Sequence, residues 1–182
     1  MNKGILKSSG EYLLFLNSGD FLFSPQVLEN LFSHKEDADL ICCSLKIDLI
    51  DKNESMIYFI KSNKITNRFM FKYFIPHPST LIKRDLFMIY GLYDESYKIA
   101  GDYEFFIRIL KEKVKYVIIP LVLSVFNNQG ISSTNQANLE RIEVQKLYFK
   151  KRYFFYKKLG FEKILKFSIR RKIFFLIKRF KI

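Results

Sequence analysis

One stretch constrains this chain more than any other: the apolar run Tyr12-Leu13-Leu14-Phe15-Leu16, preceded by Gly10 and cut off by Asn17-Ser18-Gly19-Asp20. The run has the length of a strand, and its unbroken apolar character predicts a strand buried on both faces of a parallel sheet. A polar turn ending in a carboxylate then falls at the strand's carboxyl end, where open α/β sheets hold ligands. Turns also collect Asp for local hydrogen bonding, so Asp20 taken alone reads equally well as an Asx-turn residue.

Around this stretch the patterns predict alternating helices and strands. Met1 to Ser9 reads as the last turns of a helix stopped at Gly10. Ser24-Pro25 supplies an N-cap and a first-turn proline, followed by the stripe Val27, Leu28, Leu31 and Phe32. Asp39–Leu49 and Ser55–Ile60 predict a hairpin about the turn Asp51-Lys52-Asn53-Glu54. Ile65–Phe74 reads as a short amphipathic helix. His77–Lys83 reads as extended, because Pro78 disfavours the α region at His77. Leu86–Tyr90 forms a helical turn ended by Gly91, and Asp102–Lys111 a helix. On that helix Glu104 and Arg108 are expected as an exposed i,i+4 pair, with Phe105 and Ile109 in the core. Lys115–Phe126 supplies one or two strands, broken at Pro120.

Composition narrows the class. With 182 residues, 49% of them hydrophobic, the chain is long enough for one domain with a real core. Cys42 and Cys43 are adjacent and point to opposite faces of a strand, which implies reduced core cysteines, not a disulfide framework. Two histidines, His34 and His77, leave no Cys/His cluster for structural zinc. The residues after Met1 do not form a basic-then-apolar signal, and no apolar run approaches the ~20 residues of a membrane span.

The net charge of +13 lies wholly in the last part of the chain. From Lys146 onward ten Lys and four Arg face the single Glu162. This divides the chain into a near-neutral domain, 1–145, and a basic, aromatic-rich helical tail, 146–182. Phe167, Phe174 and Ile177, with Ile164 and Ile173 nearby, recur at near-helical spacing among the basic residues. Such a helix suits an anionic membrane surface. Single-stranded nucleic acid is the competing partner and the weaker one, since no RNA-binding motif accompanies the charge. Packing on its own domain is the third reading.

Three motifs form an ordered set: Met1-Asn2-Lys3-Gly4-Ile5, Phe15-Leu16-Asn17-Ser18-Gly19-Asp20, and Gly101-Asp102-Tyr103-Glu104-Phe105-Phe106. Together they resemble the family 2 glycosyltransferases of the GT-A fold, the inverting enzymes that build bacterial surface polysaccharides, over about residues 1 to 135. The resemblance implies an α/β fold, the C-terminal portion of a Rossmann-like GT-A mixed sheet, followed by the basic amphipathic tail. It implies transfer of a sugar from a nucleotide-diphospho-sugar to a saccharide acceptor, lipid-linked, at the cytoplasmic face of the plasma membrane. Asp20 would hold Mg²⁺ or Mn²⁺, a hard cation that neutralises the leaving diphosphate. Asn17 and Ser18 would hydrogen-bond the donor, and Asp102 would be the base that deprotonates the acceptor. His77, Ser79 and Gly101 would lie on the acceptor side, and Gly130-Ile131-Ser132-Ser133 would fold over the donor.

Structural readings stand beside these. Asp102 is also a good N-cap, His77 a structural hydrogen-bonder and residues 130–133 a plain loop. The sequence departs from the family pattern in two places. The turn keeps only its last carboxylate, and Gly101 stands where an acidic residue is common. In the family, Met-Asn-Lys-Gly-Ile follows opening strands that hold the nucleotide, so the chain is expected to lack them and to be a weak enzyme alone. The strand edge left open would invite a second copy or a complementing chain. The alternatives are a non-catalytic remnant that binds membrane or nucleic acid through its tail, and an α/β phosphoryl- or nucleotidyl-transferring enzyme.

Overall fold

A ten-residue strand of almost wholly buried side chains, β3 (Leu40–Leu49), organises the fold. The computed structural model describes residues 1–33, 37–50, 53–60, 64–159 and 179–181. Along one edge β3 pairs in parallel with β6 (Tyr116–Asn127). Its other edge is shared: the start pairs antiparallel with β5 (Thr80–Lys83), and the end pairs antiparallel with β4 (Glu54–Tyr58). The short β1 (Tyr12–Leu13) extends the sheet beyond β5, and β2 (Phe21–Leu22) pairs with the far edge of β6. Finally β7 (Arg179–Lys181) pairs with β4. The sheet is mixed, as expected, and β3 and β4 form the predicted hairpin.

The alternation of β3 divides two apolar layers. Leu40, Cys42, Leu45 and Ile47 belong to the larger core cluster, while Ile41 and Cys43 belong to a second with Val27 and Leu31 of α2 (Val27–Phe32). The two cysteines are free and buried, one in each layer. The larger layer receives α3 (Asn67–Lys72), α5 (Gly101–Ile109), α6 (Asn135–Tyr148) and α7 (Lys150–Lys158). The short helices α1 (Asn2–Lys7) and α4 (Asp85–Tyr90) complete the set, and Gly91, at φ +86°, ends α4 where a side chain would be strained.

Several expectations require correction. Tyr12–Leu16 is not a central parallel strand: only Tyr12 and Leu13 are in the sheet, antiparallel to β5, and all five side chains remain partly exposed. Its rings pack sideways instead, Phe15 edge-on to Phe87 and Tyr93. His77–Ser79 is a 3₁₀ turn, not extended, closed by the Ser79 amide donating to the Pro76 carbonyl at 3.0 Å. Pro120 does not break β6, because the pairing steps from Cys43↔Ile119 to Ser44↔Val122 and a bulge absorbs it. Helix α2 starts at Val27, after the Ser24-Pro25 pair. Glu104 is buried, not exposed: Arg108 pairs with it at 3.0 Å and the Tyr148 hydroxyl donates to it at 2.5 Å.

The boundary expected at residue 145 falls inside α6, and Val144, Phe149 and Tyr153 are all buried in the main core. The chain therefore packs on its own domain as far as α7. The tail positions Ile164, Phe167, Ile173, Phe174 and Ile177 lie outside the described residues, as does His34.

Candidate active site

Three segments far apart in sequence converge on one cavity of about 370 Å³. The first is the turn after β1. Gly19, at φ +91°, reverses the chain, and the Asp20 amide donates to the Asn17 carbonyl at 3.0 Å. The Asp20 carboxylate closes the turn, taking the Asn17 amide on Oδ2 at 3.1 Å and the Asn127 amide on Oδ1 at 3.3 Å. It is thus an Asx-type residue that also ties the turn to the end of β6. Asn17, Ser18 and Asp20 all line the cavity.

The second segment is the 3₁₀ turn carrying His77. It is clamped from below by buried hydroxyls: Ser124 Oγ donates to the Pro78 carbonyl at 2.6 Å and lies 2.6 Å from Ser79 Oγ. Ser79, expected on the acceptor side, is fully buried and outside the cavity wall. Its hydroxyl is used up in holding the turn that presents His77.

The third segment is the start of α5. Asp102 faces the cavity with Oδ2 2.9 Å from His77 Nδ1, and its Oδ1 accepts the Tyr103 amide at 2.7 Å. Burial alone would push the Asp102 carboxyl up. The hydrogen bond and electrostatic pull of His77, with Arg141 and the Tyr103 amide, outweigh burial and hold it below its ordinary value. Gly101, the other residue expected on the acceptor side, is buried behind Asp102 and does not line the cavity.

Lys98 and Arg141 also line the cavity and were not legible as site residues. They come from the loop before α5 and from α6. Glu140, beside Arg141, fixes that loop: its Oε2 accepts the amides of Ile99 at 2.8 Å and Ala100 at 2.9 Å. The segment expected to fold over the donor contributes Gly130, Ile131 and Ser132 to the wall, with Ile131–Ser133 in a 3₁₀ turn.

For a divalent cation the donor set is narrow. Among the described residues no group of three or more His, Cys, Asp or Glu could hold a metal. Asp20 offers one carboxylate already oriented by two amides. That fits a cation held chiefly by a ligand's phosphate oxygens and water, with Asp20 as the single protein carboxylate.

No family model matches the chain. It is similar to an uncharacterized glycosyltransferase of Methanocaldococcus jannaschii, 30% identical over 156 residues, which cover 81% of this chain and 51% of the relative. It is also similar to an uncharacterized glycosyltransferase of Rickettsia typhi, 30% identical over 128 residues, 64% of this chain and 39% of the relative. The chain thus spans about half, or less, of the length of these curated relatives. Among solved structures, S. aureus TarS 1–349 superposes with a TM-score of 0.51 at 12% identity, over 79% of this chain and 42% of that one. Its complex with UDP gives 0.50 at 12% identity, over 96% and 56%. At such identity the likeness is one of fold. The fold and the named relatives together support a glycosyltransferase.

Proposed function

We propose that this chain carries the acceptor-side and catalytic part of a family 2, inverting glycosyltransferase of GT-A type. It moves a sugar from a nucleotide-diphospho-sugar to a hydroxyl of a saccharide acceptor. The observation that carries this reading is the convergence of the Asn17–Asp20 turn, His77 and Asp102 on one cavity beside two cations, Lys98 and Arg141. The UDP complex of TarS, a protein of this fold, supports a nucleoside diphosphate as the leaving group.

In this reading Lys98 and Arg141 hold the diphosphate, and Asn17 and Ser18 hydrogen-bond the donor. A Mg²⁺ or Mn²⁺ ion bound at Asp20 would supply Lewis-acid neutralisation of the departing charge. The Asp102–His77 pair removes the acceptor proton, and the 130–133 turn shields the donor from water. Titrating nucleotide-sugar against the purified chain, with and without Mn²⁺, tests the reading. The wild type is expected to bind more tightly with the ion. Asp20→Asn is expected to lose that dependence, the carboxylate charge being the ion's only protein anchor. Equal affinity in all four titrations would remove Asp20 and the ion from the site.

The acceptor is proposed to be lipid-linked, with the chain peripheral on the cytoplasmic membrane face. Exposed Leu147, Phe154, Phe155 and Leu159 around α7, among Lys150, Lys151, Lys157 and Lys158, support this, since such a surface suits anionic lipid. No helix among the described residues is long and apolar enough to cross a membrane. The triple variant Lys150→Glu, Lys151→Glu, Lys158→Glu is expected to sediment with anionic liposomes at least tenfold less than wild type, each basic residue contributing about 1 kcal/mol. Unchanged sedimentation would rule out α7 as the contact.

A further inference from the structure

We infer that His77 Nε2, and not the Asp102 carboxylate, is the atom that takes the acceptor's proton, with Asp102 as the residue that positions the imidazole. The inference deepens the transferase reading and rests on it.

Three observations lead there. First, both Asp102 oxygens are engaged, Oδ2 by His77 Nδ1 at 2.9 Å and Oδ1 by the Tyr103 amide at 2.7 Å. Second, a hydrogen on Nδ1, donated to Asp102, leaves the lone pair of the neutral ring on Nε2. That nitrogen lies on the cavity side, where the Asn17 side-chain amide approaches to 3.4 Å, a distance open to displacement by a sugar hydroxyl. Third, the ring cannot swing away. His77 is only 14% exposed, and its turn is bolted to β6 through the Ser79–Ser124–Pro78 hydrogen bonds. A carboxylate held below its ordinary value is also a weaker proton acceptor near neutrality than an imidazole.

The step balances. The acceptor O–H bond breaks and its proton moves to Nε2. The acceptor oxygen forms a bond to the anomeric carbon, and the bond from that carbon to the diphosphate oxygen breaks. The electron pair leaves with the nucleoside diphosphate, and the imidazolium later yields its proton to water. The charged groups facing the ring are Asp102 on α5, Asp20 in the turn, Arg141 on α6, Lys98 in the preceding loop and the amino group of Met1. The two carboxylates favour the imidazolium and the cations oppose it.

The test has a kinetic arm and a resting-state arm. His77→Asn keeps an amide donor toward Asp102 but has no nitrogen lone pair, so transfer is expected to fall about 10²–10⁴-fold with donor affinity held within about twofold. Asp102→Asn is expected to lose less. It should also move the acid limb of the rate profile to lower pH from its start near the ordinary imidazole value of about 6.5, because the imidazolium loses its anionic partner. Added imidazole should restore transfer to His77→Ala, in proportion to its unprotonated fraction. A merely structural histidine would show neither the shifted limb nor the rescue. In the resting chain, with His34→Gln to assign the signals, ¹⁵N spectra at about pH 7.5 should show His77 neutral with its proton on Nδ1.

A doubly protonated ring, or a proton on Nε2, would overturn the inference even without turnover. So would a wild type that transfers sugar while His77→Asn stays within about tenfold of it and Asp102→Asn is dead; that outcome returns the proton to the carboxylate and spares the transferase reading. A wild type that binds no nucleotide-sugar overturns both.

Discussion

Phe105→Ala is expected to lower the unfolding free energy by about 3–5 kcal/mol, the range for deleting a buried aromatic ring whose cavity only partly collapses. Phe105 is fully buried on α5, stacked on Phe87 with centroids 4.4 Å apart and planes 12° apart. Tyr93 meets its edge at 5.2 Å, and the Arg108 guanidinium lies 5.2 Å from the ring centre. The same ring holds α5 against α4, so the variant should also loosen the placement of Asp102. Urea titration measures the loss, and a change below about 1 kcal/mol would mean that the ring is replaced at little cost by its neighbours.

A second large effect is expected at Glu140, which is buried although acidic. Glu140→Ala removes the acceptor of the Ile99 and Ala100 amides, leaving two backbone donors unpaired at the entrance to α5. The expected loss is about 2–4 kcal/mol, with Glu140→Gln intermediate because it keeps a carbonyl acceptor. Burial pushes the Glu140 carboxyl up, but the amides of Ala100 and Ile99, helped by Gln136, outweigh it and leave the group below its usual value. A depressed carboxyl contributes stability that is present above its unfolded value of 4.5 and is lost as pH falls through the folded one. The difference in stability between wild type and Glu140→Gln should therefore shrink below about pH 4.5. A difference that persists in acid would mean that the carboxylate charge contributes nothing.

Local signals were the legible ones. Helix α4 with its Gly91 stop, the β3–β4 hairpin, and Phe105 and Ile109 in the core all follow from periodicity and turn chemistry within one window. The candidate site was legible as a set of positions, Asn17 to Asp20, His77 and Asp102, but not as a geometry. Nothing in the spacing of His77 and Asp102 says that Nδ1 meets Oδ2. Arg141 was hidden because a basic residue on a charged helix looks like solvated surface until α6 is placed over the cavity. Glu104 and Arg108 matched an exposed pair by spacing, and only Tyr148, 44 residues from Glu104, covers them. The Tyr12–Leu16 run misled for a related reason. Apolar character says that a segment is covered, whereas the cover here is Phe87 and Tyr93 and not a neighbouring strand.

The parallel pairing of β3 with β6 has a consequence for biosynthesis. Their junction opens with Lys115 donating to Asp39, 76 residues apart, so the sheet's central pair forms by closing a long loop and not by local zipping. During synthesis at about 5–20 residues per second, β3 therefore spends several seconds outside the ribosome with one bare edge. The Asn17–Asp20 turn waits longer still, for the amide of Asn127, and the cavity waits for Arg141. The nascent chain thus has a hydrophobic sheet long before it has a pocket, and that interval is when it most needs a chaperone.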